Sequence, residues 1–346
     1  MRRLLPLAAA LVISGCATLP PVDGRVAVPL YRDPVHDGAA DPSIVRDPAT
    51  GEWVMFYTNR RADLKSSDPK DVSWVHGTAI GVARSADGAD WRYTGTAAIP
   101  AQCTGATLWA PDVARFGDKW HMWLTVVPGI FRDWNAPRRI VHLTSTDLAT
   151  WTCGETLELG SDRVIDADVV ELAPGKYRLF FNDERQDKAI RQADSTDLVN
   201  WQLGPVLVDT PGEGPVVFEW QGRWWMISDA WRGLLVMRSD DNGATWQRQD
   251  GYLLGTAGTA ITDRSLGHHP DVVVAGGRAW LFHFVQQDGE PEMAGDPQWG
   301  RRSVIQLVEL VEEDGRLTVS RQPPLVADVA AAFGSSAIGQ NGAGRR

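Results

Sequence analysis

The sequence predicts an all-β fold, a five-bladed β-propeller of four-stranded antiparallel blades, and three observations support this prediction. A short motif returns five times in 346 residues, with steps of 69, 56, 47 and 56 between its first positions. Each copy runs through apolar residues to a Gly turn and then into an aromatic strand. Patterns with a helical period are nearly absent. Repeats of this length built from short strands are typical of propellers.

The first residue of the motif differs from copy to copy: it is acidic in three, Ala in one and His in one. The copies are Asp41-Pro42-Ser43-Ile44, Ala110-Pro111-Asp112-Val113, Asp166-Ala167-Asp168-Val169, Glu213-Gly214-Pro215-Val216 and His269-Pro270-Asp271-Val272. If each repeat is a blade, its first motif residue begins the innermost strand. Three carboxyl groups and one imidazole should then converge at one mouth of the central channel.

The remainder of each blade follows from turn chemistry. A Gly precedes every second strand, as hairpins require; these residues are Gly51, Gly117, Gly175, Gly222 and Gly277. Four third strands end in a Ser-x-Asp turn followed by Trp, beginning at Ser85, Ser145, Ser195 and Ser239. Ser and Asp side chains fix such turns by bonding nearby backbone donors, so these motifs indicate architecture. The propeller is predicted to span residues 28–325.

The N-terminus is predicted to be an export signal. Arg2 and Arg3 precede a short apolar run, which ends in Ile13-Ser14-Gly15-Cys16. This ending resembles a bacterial lipobox, so residues 1–15 are interpreted as a lipoprotein signal peptide, Cys16 as the lipidated residue and 16–27 as a tether. The alternative is an ordinary secretory signal with a chance Cys. Ala17 follows the Cys, which by resemblance to Gram-negative sorting signals favours a lipid anchor in the outer membrane of the cell envelope.

Composition narrows the function further. The net charge of −10 and the lack of a basic patch exclude a nucleic-acid partner. An exported domain allows a disulfide between Cys103 and Cys153, although the sequence does not establish one. Residues 326–346 are predicted to be a C-terminal tail, partly disordered, and a monomer is expected.

Three of the first motif residues carry carboxyl groups, namely Asp41, Asp166 and Glu213. Packing explains this poorly, because buried strand positions tolerate carboxylates only when they are paired or solvated. Strand capping or a structural cation is the alternative explanation. Several carboxyl groups in one cleft suit glycoside hydrolysis, in which one acts as a general base and another as a general acid. Neighbouring like charges keep one of them protonated near neutral pH.

These residues resemble a known family. The segments Asp41-Pro42, Trp109-Ala110-Pro111-Asp112, Ile165-Asp166 and Glu213-Gly214-Pro215 are similar, in order, to the motifs of glycoside hydrolase family 43. Its wider clan of five-bladed propellers includes arabinanases, levansucrases and invertases. The resemblance implies that Asp41 is the general base, Glu213 the general acid and Asp166 the residue that adjusts pKa. It also implies single-displacement hydrolysis with inversion of the anomeric centre.

The resemblance further implies a cation near a His of the last blade, so His269 is expected beside a calcium ion held through waters. No cofactor is otherwise required. His268 competes for this role, and only the repeat register favours His269. The family often has Pro after the third-blade Asp, whereas this chain has Ala167. Asp168 is level with Asp112 and Asp271 in the repeat, which predicts a structural role for that column.

The expected substrate is an oligo- or polysaccharide containing arabinofuranosides or xylosides. Trp109, Trp134 and Trp299 are candidate platforms for sugar rings, because aromatic faces stack on sugars. Fructan hydrolysis is a rival activity on the same fold. A sialidase is another, since Ser239 to Trp246 matches the Asp-box pattern, although sialidases have six repeats. A propeller that only binds glycan or protein is the non-enzymatic alternative, and it would not need three carboxyl groups in its channel.

Overall fold

The computed structural model describes residues 22–289, 295–296 and 298–334, and within them five four-stranded antiparallel sheets confirm the predicted propeller. The predictions for the signal peptide and Cys16 lie outside the described residues. In blade order the strands are β1 Ala39–Arg46, β2 Trp53–Asn59, β3 Ala79–Ser85 and β4 Arg92–Thr96; β5 Thr107–Phe116, β6 Lys119–Val127, β7 Arg139–Ser145 and β8 Trp151–Thr156; β9 Val164–Ala173, β10 Lys176–Asp183, β11 Ala189–Ser195 and β12 Gln202–Val208; β13 Glu213–Trp220, β14 Arg223–Asp229, β15 Leu234–Ser239 and β16 Gln247–Arg248; and β17 His268–Ala275, β18 Arg278–Gln286, β19 Ser303–Glu313 and β20 Arg316–Val319. One helix, α1, follows at Val326–Gly334.

The first strand of each blade is innermost, and these five strands contact one another in a closed ring. Strand β2 is buried along its whole length, and five hydrophobic clusters each fill one interface between neighbouring blades. The blades therefore cohere mainly through side-chain burial, with a few backbone hydrogen bonds between neighbouring blades, such as Leu108 N to Thr78 O at 3.2 Å. None of the described helices has the length and apolar character that crossing a membrane requires.

Hydrogen bonds from side chains link four pairs of neighbouring inner strands and explain the column of Asp residues. Asp112 Oδ2 accepts from the Val169 backbone N–H at 2.9 Å, and Asp168 Oδ2 from that of Val217 at 3.0 Å. Ser43 Oγ bonds Val113 at 3.0 Å, and Asp271 Oδ2 bonds Ile44 at 2.6 Å. Each side chain thus reaches the next blade. The predicted structural role of this column is confirmed for Asp112, Asp168 and Asp271.

All four strands of blade 5 come from one stretch of chain, so no strand is shared between the first and last blades. The interface between blades 5 and 1 is instead closed by helix α1, which lies outside the sheets. Helix α1 inserts Phe333 against Trp53 of blade 1 and against Trp280 and Phe282 of blade 5, with ring centroids 4.6, 5.9 and 6.1 Å away. The Trp53 indole N–H donates to the Phe333 carbonyl at 3.0 Å. The start of the predicted tail is therefore part of the core.

Phe333→Ala should destabilise the protein by at least about 3 kcal/mol, the usual cost of removing a buried aromatic ring. Phe333 is fully buried at the one interface that a terminal element must fill. Chemical denaturation measures the effect, and Val311→Ala, an exposed position on β19, is the control. A loss below about 1 kcal/mol would show that α1 does not close the ring.

The predicted Ser-x-Asp turns form as expected. In the first, Ser85 Oγ accepts from Gly88 N at 2.8 Å and Asp87 Oδ1 accepts from Ala89 N at 2.9 Å. The pairing that the sequence left open is also decided: Cys103 and Cys153 form a disulfide with Cα atoms 5.6 Å apart. It ties the connection between blades 1 and 2 to the outermost strand of blade 2.

Candidate active site

The start of every innermost strand is irregular in the same way. A β-bulge or register shift interrupts its pairing there, and one residue takes a left-handed backbone conformation. These residues are Asp41, Ala110, Asp166, Gly214 and His269, with φ of 50°, 41°, 58°, 54° and 34°. Left-handed φ is uncommon for residues other than Gly and is found at functional sites. Bulges redirect side chains from the strand alternation, which here turns them toward the channel mouth.

The repeat register was wrong by one residue in blade 4. Gly214, and not Glu213, occupies the place of Asp41, Asp166 and His269. Glu213 instead precedes the bulge and pairs with Asp229, just as His268 precedes the bulge of blade 5. Gly is required here, because a Cβ at 214 would lie 2.7 Å from Cγ of His269 while φ is positive. The Glu213 carboxyl group therefore reaches the cavity from the residue before the left-handed position.

Three of the blades bond the backbone of the left-handed residue in the next blade. Thr58 Oγ1 accepts from Ala110 N at 2.8 Å, and Thr125 Oγ1 accepts from Asp166 N at 3.2 Å. Asp229 Oδ2 accepts from His269 N at 3.3 Å. Thr58, Thr125 and Asp229 end the second strands of their blades, so the bulges are supported by neighbouring sheets. Rigid placement of this kind is what a site that must hold reacting groups requires.

The three predicted carboxyl groups, Asp41, Asp166 and Glu213, line one cavity of about 370 Å³. Trp109 and Trp134 line it as well, together with both His268 and His269. Trp134 is 51% exposed, which leaves its ring available to a ligand. The size and the mixture of aromatic and polar walls suit a small-molecule or sugar site.

Trp299 is placed differently from the other two candidate platforms. It is not among the residues that line this cavity. The guanidinium groups of Arg302 and Arg32 lie 4.8 and 5.7 Å from its ring centre. Stacking with these cations gives Trp299 a structural role, so a sugar in the cavity would not rest on it.

Asp41 is held as a carboxylate. Burial alone would raise its pKa, but Arg60 and His269 outweigh burial and lower the pKa below its ordinary value. Arg60 Nη2 donates to Asp41 Oδ1 at 3.1 Å, and His269 Nδ1 lies 3.4 Å from the same oxygen. Thr58 adds a further hydrogen bond. An ionised carboxylate in a cavity can accept a proton from water.

Glu213 has the opposite environment. Burial raises its pKa to about 7, and the charges of Asp166 and Asp229 add to the effect. His269 and a hydrogen bond from the Trp231 side chain oppose this increase. A carboxyl group that keeps its proton to near neutral pH can serve as a general acid.

The pKa of Asp166 is shifted in the same direction as that of Glu213. Burial raises its pKa well above the ordinary value, and the charge of Asp41 raises it further. Its Oδ2 accepts from Gly214 N at 3.1 Å, next to Glu213 in the chain. Asp166 is therefore positioned to influence both the protonation and the placement of Glu213.

The two His residues of blade 5 have separate partners. His268 Nδ1 lies 2.8 Å from Asp229 Oδ2. Burial lowers the pKa of His268, but Asp229 and Glu213 outweigh burial and raise it. His269 pairs with Asp41, as given above. Among the described residues no group of three or more His, Cys, Asp or Glu side chains is arranged to hold a metal ion, so the donor set does not itself fit a directly ligated cation.

Sequence reasoning missed several residues of the cavity wall: Arg60, Arg138, Glu184, Lys188 and Trp231. Arg138 Nε lies 2.7 Å from Glu184 Oε2 and its guanidinium lies 5.3 Å from the Trp109 ring centre. Most of these residues stand in the loops that follow second strands, where the repeat is weakest. The polar residues that end several of those strands, such as Asp229, could have indicated that the loops after them reach the site.

Trp231 supports the acid directly. Its side chain bonds Glu213, its backbone N–H donates to Asp229 Oδ1 at 2.8 Å, and its φ is 54°. A left-handed Trp that is 38% exposed is unusual, and the Asp229 bond holds it there.

Trp231→Phe should move the alkaline limb of kcat/KM upward by about 0.5–1 pH unit from its position near the pKa of Glu213, about 7. The indole N–H stabilises the ionised acid, so its loss lets Glu213 keep its proton to higher pH. A pH profile measures this, with Trp134→Phe as the control. An unmoved alkaline limb together with a raised KM would mean that Trp231 only contacts substrate.

A five-bladed propeller whose channel mouth holds one carboxyl group with a lowered pKa and another with a pKa raised to about 7 has the architecture and the kind of carboxyl pair that glycoside hydrolases use. Residues 24–259 match the family model for a probable glycosyl hydrolase domain related to family 43, and the chain belongs to that family. The matched part contains Asp41, Asp166 and Glu213, while blade 5 lies beyond it. No curated protein matches the sequence significantly.

Solved structures show the same fold at low identity. A thermostable family-43 glycoside hydrolase superposes with a TM-score of 0.63 at 17% identity, covering 85% of this chain and 99% of that one. A xylan β-1,4-xylosidase from Bacillus halodurans C-125 gives 0.61 at 16%, covering 84% of this chain and 56% of that one. A family-43 β-xylosidase/α-arabinofuranosidase from a compost microbial metagenome, complexed with xylotriose in a calcium-free form, gives 0.61 at 16%, covering 88% and 99%.

Proposed function

We propose that this glycoside hydrolase cleaves arabinofuranosides or xylosides of oligo- or polysaccharides in a single displacement with inversion. The observation that carries the proposal is the opposite tuning of two carboxyl groups in one cavity: the pKa of Asp41 is lowered and that of Glu213 is raised to about 7. Inverting glycosidases need a base and an acid present together in these protonation states.

In the proposed reaction Asp41 accepts a proton from a water molecule as the water oxygen bonds to the anomeric carbon. The bond between that carbon and the glycosidic oxygen breaks in the same step. Glu213 gives its proton to the departing oxygen, so the alcohol leaves neutral. Burial keeps Glu213 protonated beforehand, and Asp166, through its bond to Gly214 N, holds the strand that carries Glu213. The proton balance is restored when Asp41 releases its proton and Glu213 regains one.

Two kinds of observation support a pentose substrate. Trp134 lines the cavity and offers an exposed aromatic face to a sugar ring, while Trp109 behind it is buried and stacked with Arg138. The similar structures include a xylosidase and a β-xylosidase/α-arabinofuranosidase holding xylotriose. The five blades and the family membership argue against a sialidase and against a propeller that only binds glycan. No observation favours fructan over pentosides.

A substrate panel tests the proposal: aryl α-L-arabinofuranoside, aryl β-D-xyloside, fructan and an aryl sialoside, each with wild type and Glu213→Gln. The wild type should cleave a pentoside, and early NMR spectra should show the inverted anomer first. Cleavage of fructan or sialoside alone would overturn the substrate class. A retained anomer would overturn the single displacement.

The predicted location and cation form part of the proposal. We propose that Cys16 carries a lipid that anchors the enzyme to the bacterial cell envelope, in the outer membrane; labelling with radioactive palmitate should disappear in Cys16→Ser. A calcium ion held by waters near His269 would act without direct protein ligands, and the reaction above has no step through it. Unchanged activity and melting temperature after chelation and in His269→Ala would remove calcium from the account.

A further inference from the structure

The cavity is lined by as many cationic as carboxyl side chains, four of each, in a protein whose net charge is −10. The cavity is lined by four cationic side chains, Arg60, Arg138, Arg163 and Lys188. Only two of its carboxyl groups, Asp41 and Glu184, form ion pairs with them. Both Arg138 and Arg163 share the single carboxylate of Glu184. Two cations that share one carboxylate leave part of their charge available to an anionic group of a ligand.

Lys188 is the cation with no such partner. No ion pair joins it to a carboxylate in the part of the chain that the structure describes. Its ammonium instead lies 4.6 Å from the ring centre of Trp231, a contact that fixes the direction of the side chain. The charge is therefore placed at the cavity and left open to a ligand.

The backbone beneath Lys188 is firmly held. Its carbonyl accepts from Gly212 N at 3.0 Å and from Asn182 Nδ2 at 3.1 Å, so three segments meet at this turn. Asp187 and Lys188 are both left-handed, with φ of 52° and 59°. Two successive left-handed residues form the type I′ turn that joins β10 to β11, a connection favoured in hairpins. The turn thus holds the Lys188 backbone at the edge of the cavity.

Trp231 connects this cation to the catalytic acid. Lys188 covers the face of its ring, and the same side chain bonds Glu213. The ammonium is therefore one indole away from the group that protonates the glycosidic oxygen. A ligand group that reaches Lys188 must belong to a sugar close to the bond being cleaved.

We propose that Lys188 and Trp231 form a subsite for a carboxylate-bearing sugar, a hexuronic acid unit adjacent to the scissile bond. This inference rests on the proposed function and adds to it an acidic oligosaccharide as the preferred substrate. The ammonium binds the carboxylate, and Arg138 and Arg163, which share the single carboxylate of Glu184, strengthen the attraction. A neutral pentose chain would use neither.

The test compares three substrates: a xylo-oligosaccharide bearing a glucuronic acid unit, its methyl ester and the unsubstituted chain. The ester has the size of the acid without its charge. Wild type should prefer the acid over the ester by about tenfold in kcat/KM, the effect of one charge-assisted hydrogen bond. Rising salt should reduce that preference.

Lys188→Met keeps an unbranched apolar stem over Trp231 but removes the charge, so the ratio of acid to ester should fall to near one. Lys188→Arg should restore most of it. Lys176→Met, on the same blade but away from the cavity, is the matched control and should leave the ratio at the wild-type value. Calorimetry with the acid and the inactive Glu213→Gln variant gives the same comparison without turnover.

Equal kcat/KM for acid and ester in the wild type would overturn the subsite while leaving the hydrolase assignment intact. A preference for the acid that persists in Lys188→Met would place the carboxylate elsewhere. Failure to cleave any of the three substrates, or any aryl pentoside, would instead count against the proposed function. These outcomes separate the two proposals.

Discussion

Glu213→Gln is expected to reduce kcat by about 10²–10⁴-fold on glycosides with a poor leaving group. The amide cannot supply the proton that the departing oxygen needs. An activated aryl leaving group departs without protonation, so the loss there should be much smaller. Steady-state kinetics on both kinds of substrate measures this contrast, which a general loss of structure would not produce.

Stability provides the second check on Glu213. Its pKa is raised from 4.5 to about 7, so its contribution to stability is lost as pH rises between these values and the full penalty is present above about 7. Gln removes this penalty, and the melting temperature at pH 8 should equal or exceed that of wild type. Glu219→Gln, at the far end of β13, is the matched control and should keep full activity. Wild-type turnover of Glu213→Gln on the poor leaving group would show that Glu213 is not the acid.

Asp41→Asn should reduce kcat/KM by about 10²–10⁴-fold on activated and unactivated substrates alike, because water activation is needed in both cases. This leaving-group independence distinguishes a base from an acid. Kinetics with the same two substrates measures it. Equal sensitivity of the Asp41 and Glu213 variants to the leaving group would contradict the assigned roles.

The pH dependence of Asp41 has a defined sign. Its pKa is lowered in the folded protein, so its ionised form contributes stability above its ordinary pKa that is lost as pH falls through the lowered value. Asn abolishes the ion pair with Arg60, and the melting temperature near pH 7 should fall modestly. Asp47→Asn, at a turn on the opposite end of the blade, is the control that should retain activity.

Much of this architecture was predictable because its signals are local. Turn residues, Gly positions and aromatic strands recur within each blade, and their chemistry depends on near neighbours. The column of Asp112, Asp168 and Asp271 was identified from the repeat register, although its hydrogen bonds run to the next blade. The three candidate catalytic carboxyl groups lie in short motifs, and these motifs form the bulges at the starts of the innermost strands.

The exact place of Glu213 was not predictable from the repeat. Asp41 and Asp166 are themselves the left-handed residues, whereas in blade 4 the left-handed position faces the His269 ring and accepts only Gly. Because of this contact between neighbouring blades, Glu213 lies one residue before the left-handed position. An alignment of the repeats by residue type could not reveal this requirement for Gly, because it arises from a steric contact between strands of two blades.

By itself, the sequence determined the all-β class, the number of blades and the identity of the carboxyl groups at the channel mouth. These features are set by strand, turn and motif residues that recur within each repeat, a few positions apart. Only the tertiary structure decided how those groups are charged and how the ring closes. Arg60 reaches Asp41, Trp231 reaches Glu213, and Phe333 bonds Trp53 across 280 residues of chain. Such contacts depend on how loops of different blades meet after folding, and desolvation at that meeting sets the pKa of each acid.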